Sequence, residues 1–438
     1  MRVSFGKMAY SLKSDKPEEV VWDESTAING HMFIAGGTGT GKTHRLRALV
    51  DNLIETSDRK LRIHVFDVHD DIDIQGESSV LFSENSDYGL NPLIIDPNPH
   101  FGGVRKNIQG FIRTINKTTR RLGDRQESVL RSMMIDLYSA NGFYLDNPAS
   151  WALSDGIQRK YPKKHPTLED LHRFASHKYK EMFLGTNSKT CKALEAVNKE
   201  AQKRAKLAKE IERTKGKEEE NELDKLKDNA ICAFTEYITL LNTGHELESL
   251  LKYDNRQTVK SVVDRIENLK SSGIFKSEYP PFDRDRQVWR YRLKALDSDE
   301  RKMFVLFRMQ EIFEQAVRRG PRDKIDQFVI LDESHIYMDD DENNIVNTYS
   351  KEIRKFGVGL ICASQSFSHC TEDFLSSVSC KVILGIDELF WDKTVRNMKV
   401  DLKSLKWIMP RSTCLVHLKN TYVKGQKRNT TGWAWSVF

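Results

Sequence analysis

The sequence predicts an α/β fold in which a mostly parallel, open sheet is interrupted by a large all-helical insertion. Short, uninterrupted apolar runs near both ends of the chain stop at a glycine or an acidic residue, which is typical of strands buried on both faces of a parallel sheet. Helix-length segments separate these runs, whereas residues from about 102 to 321 hold long amphipathic stretches at helical spacing. The six predicted strands are 31–35, 62–67, 327–332, 358–364, 381–385 and 414–418.

The first predicted strand leads directly into GGTGTGKT, from Gly36 to Thr43, which satisfies the phosphate-binding pattern GxxxxGKT. Glycines allow the backbone to turn so that successive N–H groups surround phosphate oxygens. Lys42 is expected to lie against the β- and γ-phosphates, and the Thr43 hydroxyl to bind Mg²⁺. The amphipathic helix that follows adds its positive N terminus. The predicted nucleotide-binding residues are Gly36, Gly37, Thr38, Gly39, Thr40, Gly41, Lys42, Thr43 and His44.

Another predicted strand ends in the acidic pair of FVILDE, from Phe328 to Glu333. A P-loop protein that hydrolyses its nucleotide needs carboxylates near the γ-phosphate. Asp332 is therefore predicted to hold Mg²⁺ through water, and Glu333 to polarise the attacking water as a general base. ATP is the expected nucleotide because the chain shows no NKxD guanine reader: Asn116 and Lys117 are followed by two threonines.

Two further side chains are candidates for sensing the nucleotide or completing its site. Gln365 ends the run LICASQ, where its amide is placed to contact the γ-phosphate or the attacking water. Arg354 precedes that run and is a candidate to reach the nucleotide of a neighbouring subunit, although it is equally interpretable as an ordinary surface charge. The fallback candidates for the same role are Lys355, Arg318 and Arg319.

The middle of the chain predicts a helical insertion that divides the α/β domain. We expect the first part of that domain at 1–101, the insertion at 102–288 and the second part at 289–438. Within the insertion, residues 190–270 include a long run rich in Lys, Glu and Arg with one narrow apolar seam, which predicts a charged helical arm. This arm is either a solvated helix pair or a surface that contacts a partner or DNA.

Composition restricts the classes of protein to which the chain can belong. Of its 438 residues, 39% are hydrophobic and 30% are charged, and no segment approaches the ~18 consecutive apolar residues that a membrane span requires. With no signal-peptide pattern at its start, the chain is expected to be cytoplasmic. Its six scattered cysteines predict neither disulfides nor a structural zinc site. The net charge of +6 permits an anionic partner without requiring one.

Taken together, GGTGTGKT, FVILDESH and RKFGVGLICASQ resemble the HerA/FtsK class of P-loop motors, and most closely the HerA helicases and the ATPases of conjugation and type IV secretion. The segment VFDVHDD, from Val65 to Asp71, is similar to the second strand of that class. The resemblance implies a RecA-like P-loop NTPase of the additional-strand, catalytic-glutamate type. It also implies a homo-oligomeric ring of six subunits, with nucleotide at each subunit boundary and an arginine supplied in trans, the role that Arg354 matches.

Three functions remain open at this level. The first is a ring-forming, Mg²⁺-dependent ATPase that translocates or unwinds DNA. The second is a conjugation or type IV secretion ATPase that handles a protein or DNA–protein substrate. The third is a HerA-like scaffold ATPase that assembles with a nuclease or another effector in antiphage defence. All three functions share these motifs. The sequence does not separate them, because the substrate contacts pore loops that carry no strong sequence pattern.

Overall fold

The computed structural model describes residues 1–118, 120–154, 162–184, 188–214, 220–240, 252–253, 256–338, 344–367, 370–421 and 432–438. These residues form two compact units. The first unit comprises Met1–Pro92, Asp96–Arg121 and Ser272–Phe438, and the second comprises Leu93–Ile95 and Leu122–Ser271. None of the described helices is both long enough and apolar enough to cross a bilayer.

The first unit is built on an eleven-stranded sheet in the order β2-β1-β11-β10-β9-β3-β8-β7-β4-β6-β5. The strands are β1 (Arg2–Met8), β2 (Glu19–Asp23), β3 (Met32–Ala35), β4 (Arg62–Asp67), β5 (Ser78–Leu81), β6 (Val288–Arg292), β7 (Arg322–Leu331), β8 (Phe356–Ser364), β9 (Cys380–Ile383), β10 (Thr413–Leu418) and β11 (Trp433–Val437). From β9 to β5 every neighbouring pair is parallel, whereas β10, β11, β1 and β2 are joined by antiparallel pairs.

The α-helices of the two units, in chain order, are α1 (Lys42–Glu55), α2 (Val104–Thr118), α3 (Asp124–Ala140), α4 (Leu168–Leu184), α5 (Ser188–Thr214), α6 (Glu220–Leu240), α7 (Arg256–Ser271), α8 (Ser298–Arg319), α9 (Ile345–Glu352), α10 (Glu372–Ser377), α11 (Trp391–Met398) and α12 (Leu402–Trp407). Helices α3 to α7 belong to the second unit, and the other helices belong to the first.

Strand β3, in the middle of the sheet, is apolar throughout because both of its faces are covered. All four residues of β3 are buried. Met32 and Ile34 join the core cluster that includes the buried stripe of α1, whereas Phe33 packs against Phe367 and Phe374 on the opposite face. A strand covered on both sides has no polar alternation, and this accounts for the uninterrupted runs in the sequence.

Strand β8 lies between β3, which leads into the P-loop, and β7, which leads into the acidic pair. Ala35 is paired with Ser364, and Leu331 with Cys362, so β3, β8 and β7 end at the same edge of the sheet. The predicted fold class, a P-loop NTPase with an additional strand between these two elements, is therefore confirmed. The six strands predicted from apolar runs are present as β3, β4, β7, β8, β9 and β10.

The second unit is helical, and its helices are long. Helix α3 contains the predicted amphipathic stretch, and its Gly123 N–H donates to Gln126 Oε1 at 3.0 Å. Helices α3, α4 and α7 pack on one another, and α5 packs along α6 as a separate pair. The predicted arm at 190–270 includes 215–219, 241–251 and 254–255, which lie outside the described residues. The predicted domain boundaries stay predictions.

Candidate nucleotide-binding and hydrolysis site

The P-loop follows β3, and its shape depends on glycines at particular positions. Gly39 and Gly41 have φ angles of 78° and 100°, in the left-handed region that other residues rarely adopt. A Cβ atom on Gly36 would lie 2.5 Å from Thr40 Oγ1, so a side chain at this position would require Thr40 to shift. The loop is attached to the neighbouring strand, because the Gly36 N–H donates to the Ser364 carbonyl at 3.0 Å.

Helix α1 begins at Lys42, directly after this loop. No side chain caps its N terminus, and its first turn holds no acidic residue. The free N–H groups of a first helical turn, together with the helix dipole, favour an anion at this position. A cavity of about 910 Å³ lies here and is lined by the P-loop from Gly37 to His44 and by Asp332, Glu333 and Gln365. A cavity of this volume is within the range of small-molecule sites.

Glu333 has a backbone conformation that is unusual for a residue other than glycine. Its φ and ψ angles are 45° and 49°, in the left-handed region. Such a conformation costs on the order of 1–3 kcal/mol, and in folded proteins it is concentrated at functional sites. The strain arises where β7 ends at Leu331 and the chain turns into a short 3₁₀ segment, Ser334–Ile336. This turn brings the Glu333 carboxylate to the P-loop lysine.

Three cationic or polar groups surround the Glu333 carboxylate. Lys42 Nζ lies 3.1 Å from Oε1, and both side chains are about nine-tenths buried. His335 Nδ1 lies 3.3 Å from Oε2 and also 3.3 Å from Ser364 Oγ, while His69 Nε2 is 3.9 Å from Oε1. Burial by itself raises the pKa of Glu333, but the contacts with His335 and Lys42 outweigh it and lower that pKa to about 2. Glu333 is therefore ionised at neutral pH.

Asp332 has the opposite electrostatic environment. Burial, reinforced by the negative charges of Glu333, Asp67 and Asp71, raises the pKa of Asp332 to about 7. Carboxylate oxygens of Asp67, Asp71 and Asp332 all lie within 4.8 Å of one another. Oxygen ligands of this kind are those that Mg²⁺ prefers, and a cation here would relieve the mutual repulsion. The residues present therefore fit the Mg²⁺ that a P-loop site implies, with the Thr43 hydroxyl beside them.

The predicted site residues fall into three groups in the structure. All the predicted P-loop residues line the cavity except Gly36, which is buried beneath the loop. Asp332, Glu333 and Gln365 line it as well, and Gln365 is exposed there at the end of β8. Arg354 does not line this cavity, and its role remains a prediction.

Arg354 is exposed in a 3₁₀ turn, Ile353–Lys355, that immediately precedes β8. Because Gln365 follows the other end of that strand, ~26 Å of extended chain separates the two positions. Arg354 thus lies at the opposite edge of the sheet from the cavity of its own chain. The fallback residues Arg318 and Arg319 form ion pairs within the chain, at 2.9 Å with Asp96 and at 3.0 Å with Asp326.

Sequence reasoning missed several residues of the cavity wall. Arg411, which has a φ of 66°, donates from Nε to the Gly39 carbonyl at 3.0 Å. His69 and Asp71 come from the segment after β4. The last two had a detectable signal, because VFDVHDD is an apolar run that ends in acids, like FVILDE. Arg411 had none, since it lies in an irregular turn far along the chain from the P-loop.

Comparisons with known proteins relate parts of this chain to HerA and its whole fold to VirB4. No family model matches the chain. The DNA double-strand break repair helicase HerA of Sulfolobus acidocaldarius is 29% identical over 122 residues, which are 25% of this chain and 25% of that protein. The protein of the same name from Pyrococcus furiosus is 37% identical over 81 residues, 18% of this chain and 15% of the relative. The aligned residues thus span a quarter of these relatives or less.

The structure of VirB4 from Thermoanaerobacter pseudethanolicus superposes on this chain with a TM-score of 0.62 and 13% sequence identity, and it covers 96% of each chain. At that identity the match concerns the fold alone. Together with the partial HerA matches, it confirms the resemblance to HerA/FtsK-class P-loop ATPases that the motifs predict.

Proposed function

We propose that this chain is a Mg²⁺-dependent ATPase of the HerA/FtsK class that assembles into a six-membered ring and uses hydrolysis to move or unwind DNA. One observation carries the proposal: Lys42 and Glu333 are 291 positions apart in sequence, yet their side chains meet at 3.1 Å in one cavity that Asp332 also lines. The residues proposed to bind phosphate, to hold a metal and to act as the base therefore lie together, and this supports the proposal.

Each group has a role in phosphoryl transfer. Lys42 and the backbone N–H groups at the start of α1 would share the charge that develops on the phosphate. Bound Mg²⁺ would neutralise further phosphate charge, held by Thr43 directly and by Asp332 through water. Glu333, once its partner Lys42 turns to the phosphate, orients and polarises the attacking water. Gln365 at the end of β8 is placed to contact the γ-phosphate or that water.

The position of Arg354 supports the proposed ring. An arginine at the far edge of the sheet cannot reach the nucleotide of its own chain, but a neighbouring subunit packed against that edge would receive it. Hydrolysis should therefore depend on assembly. Light scattering combined with ATPase assays over a range of protein concentrations tests this, and a monomer that hydrolyses ATP at the full rate would contradict the ring.

DNA is the substrate favoured by the names of the HerA relatives and compatible with the net charge of +6. The test measures the ATPase rate with duplex DNA, with single-stranded DNA and without DNA, at low and high salt. The Glu333→Gln variant controls for contaminating activity. We expect DNA to raise the rate at low salt and less so at high salt, because phosphate contacts are salt-dependent. A rate indifferent to DNA under all conditions would contradict this substrate and favour a secretion or effector-scaffold role.

A further inference from the structure

Residues 67–73, which follow β4 and are named here the acidic loop, have a conformation fixed by Asp67. This side chain is fully buried. Its Oδ1 accepts from the N–H groups of His69 and Asp70 at 3.1 and 2.8 Å, and its Oδ2 accepts from the Ile72 N–H at 2.9 Å. Both carboxylate oxygens of Asp67 are thus engaged in holding the loop.

Two arginines of β6, Arg290 and Arg292, donate hydrogen bonds to carboxylates of the acidic loop. Arg290 is 3% exposed and donates to Asp67 Oδ2 at 2.9 Å and to Asp70 Oδ1 at 2.8 Å. Arg292 binds both oxygens of Asp70, at 2.6 and 2.7 Å. A buried guanidinium is tolerated only where carboxylates satisfy it, so these contacts hold each other in place. The loop is therefore a rigid support for the one acidic side chain that it presents to the cavity.

That side chain is Asp71. It lines the cavity and is exposed there, and its Oδ2 accepts a hydrogen bond from the Thr43 hydroxyl at 3.1 Å. A carboxylate oxygen of Asp71 also lies within 4.8 Å of one from Asp332. Since the oxygens of Asp67 already accept hydrogen bonds within the loop, Asp71 and Asp332 are the two carboxylates of this group that are available to a cation.

Asp332 provides an independent indication that a cation belongs here. It is only 5% exposed, and within the described part of the chain no donor or cation is hydrogen-bonded or ion-paired to its carboxylate. A buried acid left without a partner beside another acid is unfavourable unless a ligand completes the site. The cavity next to it is the place from which that ligand would come.

We propose that Asp71 is a positioning residue of the metal site, one that holds the Thr43 hydroxyl so that its oxygen lone pairs face the cavity. When the hydroxyl hydrogen is donated to Asp71, the oxygen is free to bind the metal. Mg²⁺ keeps several of its waters in protein sites, and Asp71 and Asp332 are placed to accept from those waters. This inference rests on the proposed function, because it assumes that the cavity takes a nucleotide with Mg²⁺.

The experiment uses the full chain with ADP and with Mn²⁺ as the metal probe, and follows free Mn²⁺ by electron paramagnetic resonance. A fluorescent ADP analogue measures nucleotide affinity in EDTA. The variants are Asp71→Asn and Asp71→Glu. Asp73→Asn is the matched control, because Asp73 lies in the same acidic loop but pairs with Arg290 and does not line the cavity.

We expect Asp71→Asn to weaken Mn²⁺ binding to the nucleotide complex by 10- to 100-fold, the usual effect of losing a group that orients a metal ligand. Its ADP affinity in EDTA should be unchanged. Asp71→Glu should recover part of the Mn²⁺ affinity, and Asp73→Asn should match the unaltered chain. Equal Mn²⁺ affinity in Asp71→Asn and the unaltered chain would overturn the inference, as would an equal loss of ADP affinity in EDTA. If the unaltered chain bound no ADP at all, the proposed function itself would fall.

Discussion

Lys42 and Glu333 form a nearly buried ion pair, with Nζ and Oε1 3.1 Å apart. The pair joins the group expected to bind phosphate to the group expected to activate water. While the pair persists, the Glu333 carboxylate balances the positive charge of Lys42. The same carboxylate also contacts His335. Under the proposed function we expect nucleotide binding to separate the pair, so that the event that draws Lys42 to the phosphates also releases Glu333.

Replacing Glu333 by Gln should separate binding from hydrolysis. Turnover should fall by ~10²- to 10⁴-fold because the general base is lost. ATP affinity should be unchanged or higher, because a neutral amide attracts Lys42 less strongly than a carboxylate does. Lys42→Ala should instead weaken ATP binding. Single-turnover hydrolysis and titration with a fluorescent ATP analogue measure the two quantities.

Glu55→Gln is a suitable control for that experiment, because Glu55 is exposed at the far end of α1, about 20 Å of helix from Lys42, and does not line the cavity. It should hydrolyse ATP at the unaltered rate. Full turnover by Glu333→Gln, or a loss of affinity as large as that of Lys42→Ala, would refute the role assigned to Glu333.

Adjacent glycines of the P-loop should respond differently to alanine. A Cβ on Gly36 would lie 2.5 Å from Thr40 Oγ1, whereas a Cβ on Gly37 would have no neighbour closer than 3.9 Å. Gly36→Ala should therefore destabilise the chain by ~1–3 kcal/mol through overpacking. Gly37→Ala should have little effect on stability. Urea unfolding of both variants without nucleotide tests this. If Gly36→Ala were as stable as Gly37→Ala, movement of Thr40 would have relieved the contact at Gly36, and the prediction would be wrong.

The part of the fold that could be predicted is the part encoded locally. Strands β3, β7 and β8 are continuous apolar runs that end at a glycine cluster, an acidic pair and a glutamine, so both their burial and their common edge follow from the sequence. The tail GWAWSVF gave no such indication. It forms β11, which pairs with β1 across more than four hundred residues, and no local pattern reports a pairing of that range.

Strand β6 was missed for a different reason. Its sequence VWRYR contains Arg290 and Arg292, which favour a surface position when considered alone. Arg290 is buried and Arg292 is half-buried, and the acidic loop accounts for both positions, because Asp67 and Asp70 accept their hydrogen bonds. Arg411 is similar, because nothing near it in sequence relates it to the P-loop carbonyl that it contacts. This part of the site could not be predicted, because it depends on contacts between residues that are far apart in the sequence.

The raised pKa of Asp332 predicts a pH-dependent effect of Asp332→Asn in the absence of metal. Burial, with nearby carboxylates, raises that pKa from its ordinary value near 4 to about 7, so the folded chain binds this proton more tightly than the unfolded chain does. Stability is therefore lost as the pH rises from ~4 to ~7. Asp332→Asn removes the acid and should be more stable than the unaltered chain by ~1–3 kcal/mol at pH 8.

That advantage should shrink as the pH approaches 4. Urea unfolding between pH 4.5 and 8 in EDTA provides the measurement, with Asp285→Asn, an exposed acid, as the control. A difference that does not change with pH, or a less stable Asp332→Asn at pH 8, would contradict the environment described for Asp332. With Mg²⁺ and nucleotide present the order should reverse, because the carboxylate then has a partner.

Mixing two inactive variants tests whether Arg354 acts across a subunit boundary. Arg354→Ala should lower the ATPase rate on the order of 10³-fold if it removes an arginine finger, and Glu333→Gln is inactive for the reason given above. In a mixed ring, a boundary is complete when an Arg354→Ala subunit supplies Glu333 and a Glu333→Gln subunit supplies Arg354. Random mixing completes roughly a quarter of the boundaries, so activity should reappear to about that extent.

Neither variant can recover if the arginine acts within its own chain, because every chain in the mixture then lacks one group. Arg319→Ala is the control: Arg319 pairs with Asp326 of its own chain, so its removal should leave the ATPase rate near that of the unaltered protein. Failure of the mixture to regain activity, in rings shown by native mass spectrometry to contain both variants, would exclude Arg354 as the trans-acting residue. Exposed Lys355 would then be the next candidate to test, since Arg318 and Arg319 are engaged in ion pairs within the chain.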